Sequence, residues 1–252
     1  MIDINNIFQD RTGESGYNNS GNYMKIIKYN NAMNVIVQYN DGYQTKCTYN
    51  DFKRGKVFYP FNKSVYGVGF FGDGKAKSSN KSYFIWFDTL KRCYDVKYLK
   101  KYPSYKGCTV CEEWHNYQNF AKWYDENYYE IPNEKMQLDK DILVKGNKIY
   151  SPETCVFVPQ RINYIVLGRN RKRGKYPIGV YLHSDKDKFC AQSHDINAKM
   201  IYLGRYITPE EAFKVYKQYK EDVIKQIAEK YKNFIPKILY NALYSYKIEI
   251  TD

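Results

Sequence analysis

From residue 22 to about residue 62 apolar and polar positions alternate, the period of a strand with one face in a core. The runs are Met24-Lys-Ile-Ile-Lys-Tyr, Asn34-Val-Ile-Val-Gln-Tyr and Tyr43-Gln-Thr-Lys-Cys-Thr-Tyr. Asp41-Gly42 joins the last two and predicts a tight hairpin, because glycine takes the positive φ that such turns need. A small antiparallel β domain is therefore expected over residues 22–63. The preceding residues 1–21 are rich in Asn, Gly and Ser with scattered apolar positions, and are expected as a flexible tail.

The pattern changes after Pro60. Gly67, Gly69, Gly72 and Gly74 crowd together, without the Lys-Ser or Lys-Thr pair that closes a phosphate-binding loop. This stretch predicts a strand, a turn and a flexible connection. Trp86, Leu90, Cys93 and Tyr94 then fall at helical spacing within 83–99, and Trp114, Phe120 and Trp123 do so within 112–124. Between 138 and 163 the apolar runs shorten to Ile142-Leu-Val and Ile149-Tyr, separated by Lys145-Gly-Asn-Lys. Ser151-Pro-Glu-Thr has the cap and first-turn proline of a helix start. Strand, turn, strand and short helix make a ββα unit, and residues 64–165 are expected as one domain.

Three further strands are predicted around Ile178–Leu182, Lys188–Gln192 and Lys199–Leu203. Thr208-Pro-Glu-Glu then opens a helix with a capping box. Ala212, Phe213, Tyr216, Val223 and Ile227 form its apolar stripe, and Pro236 starts a last amphipathic piece reaching about Tyr246. The fold class is α+β: a small N-terminal antiparallel β domain, a ββα domain, and a C-terminal three-stranded sheet packed on a helix. The last domain, 166–252, begins with a basic linker.

Composition adds a partner class. The 252 residues carry 40 Lys+Arg against 27 Asp+Glu, a net +13, and 29 tyrosines lift the aromatic share to 18%. Such aromatic content argues for packed cores rather than a disordered basic tail. The charge favours a polyanion, nucleic acid first and an acidic membrane surface second. Of the +13, residues 166–252 hold +7, from 17 bases and 10 acids. The densest run, Arg161, Arg169, Arg171, Lys172, Arg173 and Lys175, contains no acid. No apolar run is long enough to span a membrane, and the first residues lack a secretory pattern. The expected location is the cytoplasm, of a host cell if the chain is phage-encoded.

The last third resembles a known family. Gly174-Lys-Tyr-Pro-Ile-Gly-Val-Tyr, Lys188-Phe-Cys-Ala and Tyr202-Leu-Gly-Arg-Tyr-Ile-Thr-Pro-Glu-Glu-Ala-Phe-Lys-Val-Tyr are similar to the Apetala/ethylene-response-factor type of DNA-binding domain. The resemblance implies that a three-stranded sheet enters the DNA major groove, where Arg and Lys recognise guanine edges. The candidate DNA contacts are Lys175, Tyr176, Tyr181, Lys188 and Arg205. Arg169, Arg171, Lys172 and Arg173 would serve as phosphate-binding linker residues.

The middle resembles phage HNH homing endonucleases. The matching stretches are Leu90-Lys-Arg-Cys-Tyr-Asp, Tyr105-Lys-Gly-Cys-Thr-Val-Cys-Glu-Glu-Trp, Asn119-Phe-Ala-Lys-Trp-Tyr, and Leu138-Asp-Lys-Asp followed by Ile142 to Pro159. That family cleaves double-stranded DNA with a histidine base and one divalent metal such as Mg²⁺. Here Asp139-Lys140 stands at the strand end, so lysine occupies the histidine position. Thr154 takes the place of the helical His or Asn ligand. Asp139 and Asp141 remain as candidate metal ligands, with Asn147 in an orienting role. A lysine of ordinary pKa, ~10.4, is protonated at neutral pH and is no base, but it suits a phosphate as a point charge. His115, His183 and His194 all lie outside the ββα stretch. A DNA-binding protein with a degenerate cleavage site is thus the better physical reading, and a non-catalytic DNA-binding regulator, or an inhibitor of a DNA-acting protein, is the alternative. RNA ranks third, since no RNA-binding aromatic motif is present.

Six cysteines in a chain read as intracellular do not suggest a disulfide framework. Cys108-Thr-Val-Cys111 has zinc-knuckle spacing, and Cys93 and Cys155 would complete a four-thiolate zinc site. Buried thiols in a packed core are the other reading, and the favoured one.

Overall fold

The alternating N-terminal runs form strands β1 (Ser15–Tyr17), β2 (Tyr23–Asn31), β3 (Asn34–Tyr39) and β4 (Gln44–Cys47). The structure is a computed structural model and describes residues 9–167, 175–185 and 187–251. The four strands pair antiparallel in chain order. Met24, Ile26, Val35 and Val37 are fully buried on one face, as the period of two requires. Gly42, at φ +90°, closes the β3–β4 hairpin, with its N–H on the Tyr39 carbonyl at 3.0 Å. Helix α1 (Tyr49–Lys53), capped by the Thr48 hydroxyl, adds Phe52 to this core.

The expected flexible tail needs correction, because β1 lies inside it. Asn18 is the cause. Its Oδ1 accepts the N–H groups of Ser20 and Asn22 at 3.1 and 2.9 Å, and its Nδ2 donates to the Val57 carbonyl at 3.2 Å. One amide side chain thereby fixes the turn that lays β1 onto β2.

Helices α2 (Lys81–Tyr94) and α3 (Val96–Lys101) are separated at Asp95, whose carboxylate caps α3 by accepting from the Tyr98 N–H at 2.8 Å. The helix expected over 112–124 is split as well: a 3₁₀ turn at Glu112–His115 precedes α4 (Tyr117–Asn127), capped by Asn116. Trp86, Leu90, Trp114, Tyr117 and Phe120 fill the core between them. The Trp86 indole N–H donates to the Trp114 carbonyl at 2.6 Å. The glycine-rich segment makes only two isolated bridges, Val65 with Gly69 and Phe70 with Asn116. It is a packed loop rather than a strand and flexible connection, since a Cβ on Gly69 would stand 2.4 Å from Leu90 Cδ1 and 2.9 Å from Trp86.

The expected ββα unit is redrawn. Strand β5 (Thr109–Val110) pairs in parallel with β7 (Ile149–Tyr150), while β6 (Met136–Asp139) pairs antiparallel with β8 (Val156–Pro159). Ile142-Leu143-Val144 is not a strand, because the Asp139 carboxylate binds the N–H groups of Asp141 and Ile142 and turns the chain. Ser151–Thr154 starts no helix: the Ser151 carbonyl accepts from Cys155 N–H at 3.0 Å and closes a turn into β8. The helix of this unit is α5 (Gln160–Leu167), one strand later.

Strands β9 (Val180–Leu182), β10 (Phe189–His194) and β11 (Met200–Tyr206) form an antiparallel sheet with β10 central. Helix α6 (Pro209–Tyr231) packs along one face behind a complete Thr208/Glu211 capping box, and α7 (Lys237–Tyr244) packs on α6. The predicted stripe, Ala212, Phe213, Tyr216, Val223 and Ile227, is buried. Val156, Val158, Ile162 and Ile165 of β8 and α5 belong to the same core as α6, so the boundary expected near residue 165 runs through a shared hydrophobic cluster. The protein is mixed α+β with mainly antiparallel sheets. No helix among the described residues is long and apolar enough to cross a membrane.

Candidate nucleic-acid interface

Two places collect the residues singled out above: the sheet face turned away from α6, and the loop after β6.

On the sheet, Tyr181, Cys190 and Arg205 stand opposite one another across three strands and share a face. Val180, Ala191 and Gly204 form the next row, turned toward α6. Residues three apart on a regular strand face opposite ways, yet Tyr202 stands close enough to Arg205 to influence its guanidinium. The register supplies the reason: it slips between Ala191 and Gln192, so that β11 carries one extra residue beside Gly204, whose φ is +118°. Such a bulge re-aims the residues around it. Gln192 and His194 pair with Tyr202 and Met200 and extend the outer row.

This face is open. Tyr202 is 56% exposed and Tyr181 38%; the Arg205 side chain is 47% exposed and lies 3.6 Å from the Asp185 carboxylate. The Tyr202 hydroxyl is the main influence holding the Arg205 pKa above the ordinary guanidinium value. Burial raises the Tyr181 phenol, with a contribution from Cys190 beneath it. Lys175 and Lys188 are exposed beside the sheet. Tyr176 is not gathered with them: its ring packs on Phe189 at 5.1 Å. Arg169, Arg171, Lys172 and Arg173 lie outside the described residues. Tyr202, Gln192 and Met200 were not identified from the sequence, and the glycine of the bulge is the signal that could have found them.

In the loop after β6 the candidates are inward-facing. Asp139 is 6% exposed, and its Oδ1 accepts the N–H groups of Asp141 and Ile142, each at 2.8 Å. Burial outweighs those amides and pushes its pKa above the ordinary aspartate value. Lys140, also 6% exposed, donates from Nζ to Asp141 and to the Asn147 carbonyl, the latter at 2.8 Å. The Asn147 side chain ties the loop back by donating to the carbonyls of Lys140 and Ile149 at 2.9 and 2.7 Å. The Thr154 hydroxyl donates to the Ile149 carbonyl. On α5, Asn163 donates to Gln137 at 3.0 Å, and its buried Oδ1 has no hydrogen-bond partner among the described residues.

These groups do not fit a divalent cation as they stand. The Asp139 carboxylate is enclosed and holds backbone amides, and the Asp141 carboxylate is occupied by Lys140. The cysteines fit zinc no better. Cys93, Cys108 and Cys155 are buried, Cys111 is half-buried, and all are free thiols. No three of these thiols, among the described residues, come within 4.8 Å of one another, as a shared zinc ion would require. Among the described residues one set of three metal-ligand side chains comes within 4.8 Å, the half-buried His183 with the exposed Asp185 and Asp187 in the β9–β10 turn. His115 is remote in role, its Nε2 meeting the Val110 carbonyl at 3.1 Å.

No family model, curated protein or solved structure matches this chain.

Proposed function

We propose that the protein binds double-stranded DNA through the outer face of β9–β11, in the manner of the Apetala-type domain that it resembles. One observation carries this reading: Tyr181, Tyr202, Arg205 and Gln192 lie side by side on a sheet face that no other element covers among the described residues, with Lys175 and Lys188 beside it. A sheet with one packed face and one polar, aromatic face suits the major groove, where Arg reads guanine and tyrosine contacts phosphate or sugar. The unit formed by β6, β8 and α5 keeps the strand–strand–helix order of the HNH endonucleases that it resembles. In this reading it is a scaffold, because Lys140 is engaged by Asp141 and a backbone carbonyl and, among the described residues, no histidine stands beside Asp139.

The protein is thus read as a DNA-binding relative of HNH homing endonucleases that does not cleave, acting as a regulator or competitor at its site. Fluorescence anisotropy with labelled duplexes over a KCl series tests the binding. The logarithm of the affinity is expected to fall linearly with log salt, with a slope of about −0.9 per phosphate neutralised. Absent or salt-independent binding overturns the reading. Plasmid incubated with Mg²⁺ or Mn²⁺ is expected to remain unnicked; nicking that Asp139→Ala abolishes would overturn the non-catalytic part alone.

A further inference from the structure

The N-terminal sheet bears a recess lined by tyrosines and one aspartate, in a chain whose net charge is +13. Its volume is about 540 Å³, and its walls include Tyr17, Tyr23, Tyr39, Tyr59 and Asp41. The rings stand in two close pairs. Tyr17 and Tyr23 meet edge to face at 5.6 Å, and Tyr39 and Tyr59 lie 4.5 Å apart. Tyr17 leaves 67% of its surface in water on the edge strand β1.

Asp41 supplies the charge. Its Oδ2 accepts the Tyr59 hydroxyl at 2.6 Å and its Oδ1 the Tyr43 N–H at 3.0 Å. The Tyr59 hydrogen bond is the main reason that its carboxyl sits below the usual aspartate value. No ion pair to Asp41 is present among the described residues, although the chain carries 40 Lys and Arg. The negative faces of aromatic rings and a carboxylate without a cation make one complementary ligand class. A phenol that donates to a carboxylate becomes more electron-rich, so Tyr59 strengthens the same preference. DNA phosphates would be repelled here.

We propose that this recess binds an alkylammonium cation, held against the accessible rings of Tyr17, Tyr23 and Tyr59 with Asp41 as its counter-ion. The site is separate from the sheet face assigned to DNA and stands if that assignment fails.

NMR of the tyrosine ring resonances in the full-length chain tests it, with tetramethylammonium chloride as probe and neopentyl alcohol as a neutral mimic. Saturable shifts of Tyr17 and Tyr59 are expected, with the cation bound about tenfold more tightly than the alcohol. Asp41→Asn keeps a good Asn-Gly hairpin, and Tyr17→Leu keeps an apolar surface on an exposed edge. Each is expected to weaken the cation severalfold while sheet circular dichroism and duplex affinity stay unchanged. A peptide containing trimethyl-lysine, run beside free tetramethylammonium, separates the two sources: tighter binding of the peptide assigns a protein partner, and equal or weaker binding a small free cation. Equal affinity for neopentyl alcohol, no saturation, or no effect of Asp41→Asn overturns the proposal.

Discussion

Lys140 and Arg205 are both cations with an aspartate close by, in opposite circumstances. The Lys140 side chain is 7% exposed and is bound to Asp141 and a backbone carbonyl. Arg205 is 47% exposed, its ion pair with Asp185 is long at 3.6 Å, and Tyr202, 56% exposed, stands on the same open face. Exposed pairs of that kind add little to stability and exchange readily for another anion. The first cation completes a loop, and the second is available to a ligand. The residue types that resemble a cleavage site belong to internal structure, whereas those available for binding stand on a sheet face. Counting charges along the chain does not separate the two; burial and partners do.

Removing an inward group should disturb folding, and removing an outward one should disturb binding. Asp139→Ala has the largest expected effect, a loss of about 3 kcal/mol in chemical denaturation, because two amides lose their acceptor. Asp139→Asn restores an acceptor and most of that stability. It also removes a titration. A carboxyl whose folded pKa is raised favours the fold most below its unfolded value of 3.8 and progressively less as pH rises through the folded value. Wild type should therefore lose stability relative to Asp139→Asn across that window.

Two buried lysines give opposite signs. Lys220 on α6 is buried with no hydrogen bond or ion pair among the described residues, and burial lowers its pKa to about 8. Lys220→Met should stabilise the protein at neutral pH by on the order of 2 kcal/mol. That gain should vanish as pH rises from about 8 toward the ordinary lysine value of 10.5, since the unfolded chain releases its extra proton there. Lys140→Met, by contrast, should destabilise by about 1.5 kcal/mol, because a backbone carbonyl is left without its donor, and should leave duplex affinity unchanged. On the outer face, Arg205→Ala should weaken duplex binding about tenfold with little change in stability. Tyr202→Ala, the smallest effect, should weaken it about threefold.

Local rules made much of the fold legible. The Asp41-Gly42 hairpin, the Thr208 capping box and the α6 stripe each depend on a few adjacent residues whose geometry is strongly biased. What failed to read depends on contacts between distant residues or on one side chain overriding a pattern. Ile142-Leu143-Val144 has the apolar content of a strand, but the Asp139 carboxylate captures the following amides and makes a turn. The Ser151-Pro152 start signal is spent on a turn because Val156–Pro159 is drawn into pairing with β6. β1 is held by Asn18 through a contact with Val57, 39 residues away, which no local pattern announces. At the candidate interface, Tyr181 and Arg205 were legible from the motif. Tyr202 was not, because only the bulge at Gly204 turns it onto their face. Tyr176 read as a contact from its position, but its ring is used against Phe189.

The account rests on the outer face of β9–β11 as the DNA-binding surface. The most direct test is duplex affinity by fluorescence anisotropy at a single low salt concentration, comparing wild type with the double variant Arg205→Ala/Tyr202→Ala, both confirmed folded by thermal denaturation. At least about a tenfold loss of affinity is expected, the Arg205 effect alone, because neighbouring side chains need not act additively, with an unchanged melting temperature. Full duplex affinity retained by the folded double variant would contradict it.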